Sequence, residues 1–129
     1  MPVVKQLSIF LENKPGVLAR LCKSFSEQEI NILGLSVSDT VDHAVVRLIT
    51  SNPKKASDVL ESAGVLVVET EVLALNLPDK PGELASLAQK LSRAKINIEY
   101  AYGTTEAAGG TLILRVNDIP KAKKILKLK

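Results

Sequence analysis

Leu11–Leu21 reads LENKPGVLARL and Leu77–Leu87 reads LPDKPGELASL. A polar residue, a Lys-Pro-Gly turn and an apolar helix face therefore occur twice in a chain of 129 residues. At this offset of 66 (Lys14 to Lys80), Leu18, Ala19 and Leu21 fall on Leu84, Ala85 and Leu87, and Ile30-Asn31-Ile32 falls on Ile96-Asn97-Ile98. One added residue near Gly109-Gly110 then brings Pro53-Lys54 onto Pro120-Lys121. A match over most of the chain predicts a duplication, with one domain at residues 1–70 and a second at 71–129. Domains so small bury only about 60% of their extended-chain surface, so two would gain by packing on each other or on a second chain.

Around the turn, periodicity assigns the elements. QLSIFL (6–11) alternates apolar and polar positions before the first turn, as a half-buried strand does. Leu18, Leu21, Cys22 and Phe25 then follow the spacing of an amphipathic helix. Leu33, Leu35 and Val37 alternate again, and HAVVRLIT (43–50) is extended after a polar turn at 39–42. Pro53 opens a second helix with Ala56, Val59, Leu60 and Ala63 on one face and Gly64 as its stop, and GVLVV follows as a strand. The order is that of a ferredoxin-like βαββαβ unit, placing the chain in the α+β class. The second unit repeats it with VLALNL, a helix carrying Leu84, Leu87, Ala88 and Leu91, strands near Ile98–Gly103 and Thr111–Val116, and a helix from Pro120. It lacks an obvious last strand, and an open edge pairs readily with another chain, so a homodimer or a partner enzyme is expected. VLVVETEVLALNL contains no glycine or proline, which predicts that the last strand of unit one runs directly into the first of unit two.

The net charge of +3 does not signal an anionic partner. Residues 1–64 carry seven basic and seven acidic groups; residues 65–129 carry ten and seven, and five of those ten are lysines of the closing KAKKILKLK. Such a run reads as a solvated helix face that suits the negative end of the helix dipole. A single cysteine, Cys22, rules out an internal disulfide or a multi-cysteine metal site. There is no secretory pattern at the N-terminus and no apolar run long enough to span a bilayer, so the expected location is the cytoplasm, without membrane contact.

A helix N-terminus presents unpaired N–H groups and a positive dipole end, so it can hold a carboxylate or phosphate. Proline suits the first turn of a helix, and glycine removes the Cβ that would keep a ligand from the backbone. Asn13 and Asp79 offer side-chain oxygens that can cap the helix or accept from an ammonium group. Together these suit a small zwitterion. The same residues are also ordinary helix-entry grammar. Asn31 and Asn97, each between two isoleucines where a strand begins, are either turn residues or polar contacts for a ligand.

ENKPGVLARLCKSFSEQEINI and PDKPGELASLAQKLSRAKINI both resemble the opening of an ACT domain, the regulatory module that binds amino acids in several biosynthetic enzymes. The first copy is especially similar to the serine-binding domains of phosphoglycerate dehydrogenases, although Leu11 and Leu77 stand where those have histidine. The length and duplication resemble free-standing tandem ACT proteins. The resemblance implies ligand-binding roles for Asn13, Lys14, Pro15, Gly16, Val17, Leu18, Asn31 and Ile32. In the second copy it implies Asp79, Pro81, Gly82, Asn97 and Ile98, while Tyr100 either shapes the pocket or packs in the core or an interface. The ligand is then a free amino acid at the interface between adjacent ACT domains, with the turn of one facing the early strand of the other. Glu83 replaces Val17 in the second copy, where its carboxylate competes with a ligand's, so the first turn is expected to be the main site.

Catalysis finds little support. His43 is the only histidine, Cys22 lies on an apolar helix face, and Glu27 and Glu29 do not face each other on a helix. RNA-recognition domains stack bases on aromatics of the central strands, and HAVVRLIT and TLILRVN have none, so no nucleic acid is expected. No metal or cofactor is expected either. The competing function is a non-catalytic interaction subunit without a working pocket.

Overall fold

The computed structural model describes residues 3–39, 42–78, 80–103 and 110–128. Its elements are β1 (Val3–Glu12), α1 (Val17–Glu27), β2 (Ile32–Asp39), β3 (His43–Thr50), α2 (Pro53–Ser62) and β4 (Val67–Leu77). They continue with α3 (Glu83–Arg93), β5 (Ile98–Gly103), β6 (Gly110–Val116) and α4 (Ile119–Ile125). The chain forms two compact units: Lys5–Thr70, and the residues from Glu71 on together with Val3 and Val4.

In the N-terminal unit β1 runs antiparallel to β3 from Leu7↔Leu48 to Glu12↔His43, and β3 runs antiparallel to β2, ending at Asp39↔Ala44. Strand alternation puts Leu7, Ile9 and Leu11 on one face with Ala44, Val46 and Leu48. That face meets Leu21 and Phe25 of α1 and Ala56 and Leu60 of α2 in a single core. Leu18 packs half-buried against this core, and Cys22 is half-buried. Phe25 is the largest fully buried side chain, and truncating such a residue to alanine costs about 3–5 kcal/mol.

The C-terminal unit repeats the plan, β4 pairing with β6 and β6 with β5, all antiparallel. Its core is Leu73, Leu75, Leu87, Leu91, Ile96, Leu114, Val116 and Ala122. Leu84 stays 56% exposed, so the apolar helix face predicted for it does not reach the core at that position. No strand follows α4 among the described residues; Val3, at the start of β1, packs against this core instead. As the glycine- and proline-free segment predicts, β4 is one continuous strand: Val67–Thr70 belong to the first unit and Glu71–Leu77 to the second.

The added residue expected near Gly109-Gly110 is not there. Ile32 pairs with Thr50 and Ile98 with Val116; Asn31 bonds Ser51 and Asn97 bonds Asn117; Asn52 caps α2 and Asp118 caps α4, every pair of counterparts separated by 66. The proline match misled because α2 begins at its proline while α4 begins at Ile119, one residue ahead of Pro120. Proline is tolerated at either position because the first N–H groups of a helix have no partner within it.

Every helix leaves through a left-handed residue: Glu29 (φ 57°), Gly64 (φ 77°), Lys95 (φ 58°) and Lys127 (φ 57°). Only the end of α2 uses the residue that adopts this conformation without a steric penalty.

Candidate functional site

Lys14-Pro15-Gly16-Val17 forms a tight turn in which the Val17 N–H donates to the Lys14 carbonyl at 3.4 Å; Lys80 and Glu83 repeat the bond at 3.4 Å. Gly16 has φ 88° and ψ −14°, and Gly82 φ 89° and ψ −8°. Proline followed by a glycine at these angles is the type II turn, which needs positive φ at its third position. Pro15 and Pro81 therefore precede the helix instead of opening it, and the glycine is required by the backbone angle. A Cβ at either glycine would meet nothing within 4 Å.

Among the described residues no side chain caps α1 or α3, whereas the second helix of each unit is capped. Asn52 Oδ1 accepts from the Lys55 N–H at 3.1 Å and Asp118 Oδ1 from the Lys121 N–H at 3.0 Å. Among the described residues, then, no side chain covers the early amides of the helix behind either Lys-Pro-Gly turn, as an anion site requires.

Asn13 is not the cap. Its amide NH2 donates to Asp39 Oδ1, and its backbone N–H donates to the Asp42 carbonyl at 3.4 Å. The register sets this: β1 ends at Glu12↔His43 and β2 at Asp39↔Ala44, so the turn lies beside the end of the β2–β3 pair. With its nitrogen held by Asp39, the Asn13 side chain presents its oxygen as an acceptor. The sequence carries no signal for Asp39, which is 26 residues away and reaches the turn only through strand register. Lys14 Nζ lies 2.8 Å from Glu12 Oε2 on the open surface. Hydrogen bonding and then charge attraction hold the Glu12 carboxyl below its ordinary range and the Lys14 ammonium above its own.

Asn31 is brought nowhere near Asn13 within the unit. It follows α1, and the 11-residue helix separates the two positions by roughly 16 Å. The Asn31 N–H donates to Ser51 Oγ at 2.9 Å while its carbonyl accepts from the Ser51 N–H at 2.9 Å. Asn97 does the same with Asn117, at 3.0 Å to Oδ1 and 3.3 Å from its N–H. The side chains of both asparagines are exposed. Asn31 and Ile32 line a concavity of about 450 Å³ with Cys22, Ser26 and Glu29; Asn97 and Ile98 line its counterpart of about 430 Å³ with Ala88, Ser92 and Lys95. Tyr100 is half-buried on β5, paired with Arg115.

Around the second turn Asp79 lies outside the described residues. Val17 packs against the first core, but Glu83 borders a groove of about 420 Å³ along β4 and α3 with Asn76, Ser86, Leu87 and Lys90. Among the described residues no His, Cys, Asp or Glu cluster is arranged to hold a metal ion, and no helix is long and apolar enough to cross a membrane.

The sequence model of the ACT domain pair matches residues 2–129. Protein BT0572 of Bacteroides thetaiotaomicron shares 34% identity over 97% of this chain and 87% of its own, with a TM-score of 0.93. The ligand-free regulatory subunit of aspartate kinase from Thermus thermophilus is 14% identical over 98% of this chain and 96% of its own (TM-score 0.72). Its counterpart from Thermus flavus is 16% identical over 98% and 94% (TM-score 0.67). At such identities the last two share the fold. Among curated proteins none matches the chain significantly.

Proposed function

The chain belongs to the ACT domain pair family, and from that membership we propose that it is a regulatory protein binding a free amino acid at an interface between ACT domains and acting allosterically on a partner. The observation that carries this reading is the pattern of caps. Among the described residues, the helices behind the two Lys-Pro-Gly turns have no side-chain cap, while the other two helices do. A ligand carboxylate is the group that uncovered amides and a positive dipole end receive, and the Asn13 oxygen is an acceptor for an ammonium. Val17 leaves the first turn neutral, whereas Glu83 supplies a carboxylate of its own at the second. The first turn is accordingly the main site.

A thermal-shift panel over the natural amino acids tests this. One or a few should stabilise the protein, by about 2.7 kcal/mol at 100-fold excess over Kd. Gly16→Ala should weaken the response and Gly82→Ala leave it. A flat panel, together with stable retention of a protein partner, would replace this reading with that of an interaction subunit without a working pocket.

A further inference from the structure

The two units differ in how their second helix ends. Gly64 and Lys127 are the left-handed residues after α2 and α4, and the bonds around them match. The Val65 N–H donates to the Leu60 carbonyl at 3.0 Å, and the Leu128 N–H to the Lys123 carbonyl at 2.8 Å. These exits are 63 residues apart (Gly64 to Lys127), although the helix starts are 66 apart (Pro53 to Ile119). α2 has 10 residues and α4 has 7, so α4 stops about one turn early. After α2, Val65 and Val67 pack against the first core on the way into β4. After α4 no strand follows among the described residues, and the groove of about 420 Å³ is open. Leu75, Leu87 and Leu126 of its lining are the counterparts of Ile9, Leu21 and Leu60 in the first core. Leu60 is 1% exposed, whereas Leu126 is only half-buried.

The strand beside the groove has a bare edge as well. β4 lies between β6 and β1 in the strand order, but only Val3 and Val4 of β1 belong to the C-terminal unit, against Glu71–Leu77 of β4. Two strand residues span about 7 Å and seven about 23 Å. Lys5 lies 4.0 Å from Glu69, so Val3 and Val4 continue from there toward Glu71. The Leu77 end of β4 therefore has no strand on that side among the described residues, and an open edge invites pairing. We propose that the groove binds an extended segment of a partner protein, which adds a strand beside Ala74–Leu77 and lays two branched aliphatic side chains, two positions apart, on the apolar floor. The first unit supplies the template, because Val65 and Val67 of its own chain pack against the matching core there. Charge selects the segment further. Glu83 and Lys90 border the groove on α3, seven residues and so about 10 Å apart. Neither has an ion-pair partner among the described residues. Their counterparts Val17 and Ser24, in the unit that fills this place itself, are uncharged. Three strand residues also span about 10 Å, so the fitting segment has an apolar-x-apolar centre with a cation toward Glu83 and an anion toward Lys90. Main-chain bonds to the β4 edge then give affinity, and the side chains give specificity.

The test uses the full chain and, as probe, the peptide SAGVLVVET, which is residues 62–70 with a free amine at its start and Glu69 near its end. Labelled with fluorescein at the C-terminus, it should bind saturably in fluorescence polarisation. Val65→Asp in the peptide should weaken binding about tenfold or more, because the burial of one valine side chain is lost. In the protein, Ser86→Trp on the exposed rim should abolish binding, and Arg20→Trp at the matching position of the first unit should leave it unchanged. Lys90→Glu should weaken binding at low salt. Amide shifts moved by the peptide should gather at Asn76, Leu77 and Ser86. No saturable binding, equal binding of the two peptides, a folded Ser86→Trp protein that binds like wild type, or shifts gathered on β2 would each overturn the proposal. No amino acid is added, so a flat amino-acid panel leaves this proposal standing, and an unbound peptide leaves the panel standing.

Discussion

Thr50 and Val116 occupy the same place in the two units, each paired across the sheet with an isoleucine, Ile32 and Ile98 respectively. Thr50 is 5% exposed and its hydroxyl has no hydrogen-bond partner among the described residues, whereas Val116 fills the same volume with carbon. A buried hydroxyl without a partner costs about 1–3 kcal/mol. Thr50→Val should therefore stabilise the protein by about 1 kcal/mol in urea denaturation. A loss of stability would mean that the hydroxyl is satisfied in solution.

Gly16→Ala and Gly82→Ala should destabilise by similar amounts, about 1 kcal/mol each. Both glycines hold φ near 90°, and a Cβ at either meets no neighbour, so the cost is conformational and common to both. Unequal losses measured without ligand would show that one turn is tied down by something beyond its backbone angles.

Glu29→Gly and Lys95→Gly should raise the melting temperature. Each side chain now sits in the left-handed region at a helix end, a conformation that costs a non-glycine residue roughly 1 kcal/mol and glycine little. Part of the gain is offset because glycine is freer in the unfolded chain. Scanning calorimetry of the two single variants decides the sign.

Val3→Asp should loosen the C-terminal unit in preference to the N-terminal one, because Val3 packs against the core of Leu73, Leu75 and Leu114. Hydrogen-exchange mass spectrometry should show faster exchange in β4 from Leu73 on and in β6 than in β3. Equal acceleration everywhere would contradict the assignment of Val3 to that core.

Lys14→Met should let the Glu12 carboxyl titrate nearer its ordinary value of 4.5. The wild-type carboxyl lies lower, so its contribution to stability is present above 4.5 and disappears as pH falls through the lowered folded value. The Lys14 contribution has the opposite sign: it is present below 10.5 and fades as pH rises through the raised folded value. Both groups are open to solvent, so salt screens the pair. Carboxyl carbon shifts followed through a pH titration measure the midpoint, and an unmoved midpoint in the variant would count against the pairing.

Local signals in the sequence were good guides. Alternation in QLSIFL and HAVVRLIT and the spacing of Leu21 and Phe25 lead to β1, β3 and α1, because those patterns are set by the geometry of a strand or a helix. Lys-Pro-Gly was misread at the level of the turn, since the same residues serve a helix start and a type II turn, and only the φ of Gly16 separates them. Leu84 follows the helical spacing and is still exposed, because spacing says which face a residue lies on but not how far the core extends beneath it. The contact of Asn13 with Asp39, like the distance between Asn13 and Asn31, follows from strand register and helix length, which local pattern does not encode.

Because Val3 and Val4 belong with the residues after Glu71 while Lys5–Thr70 stand between them in sequence, the chain has no point at which scissors yield two intact modules. A cut at Thr70 strips the second half of its Val3 contact, and a cut earlier takes part of β4 from the first half. Recombination or engineering that treats this protein as two interchangeable cassettes will therefore transplant incomplete cores; the portable unit is the pair.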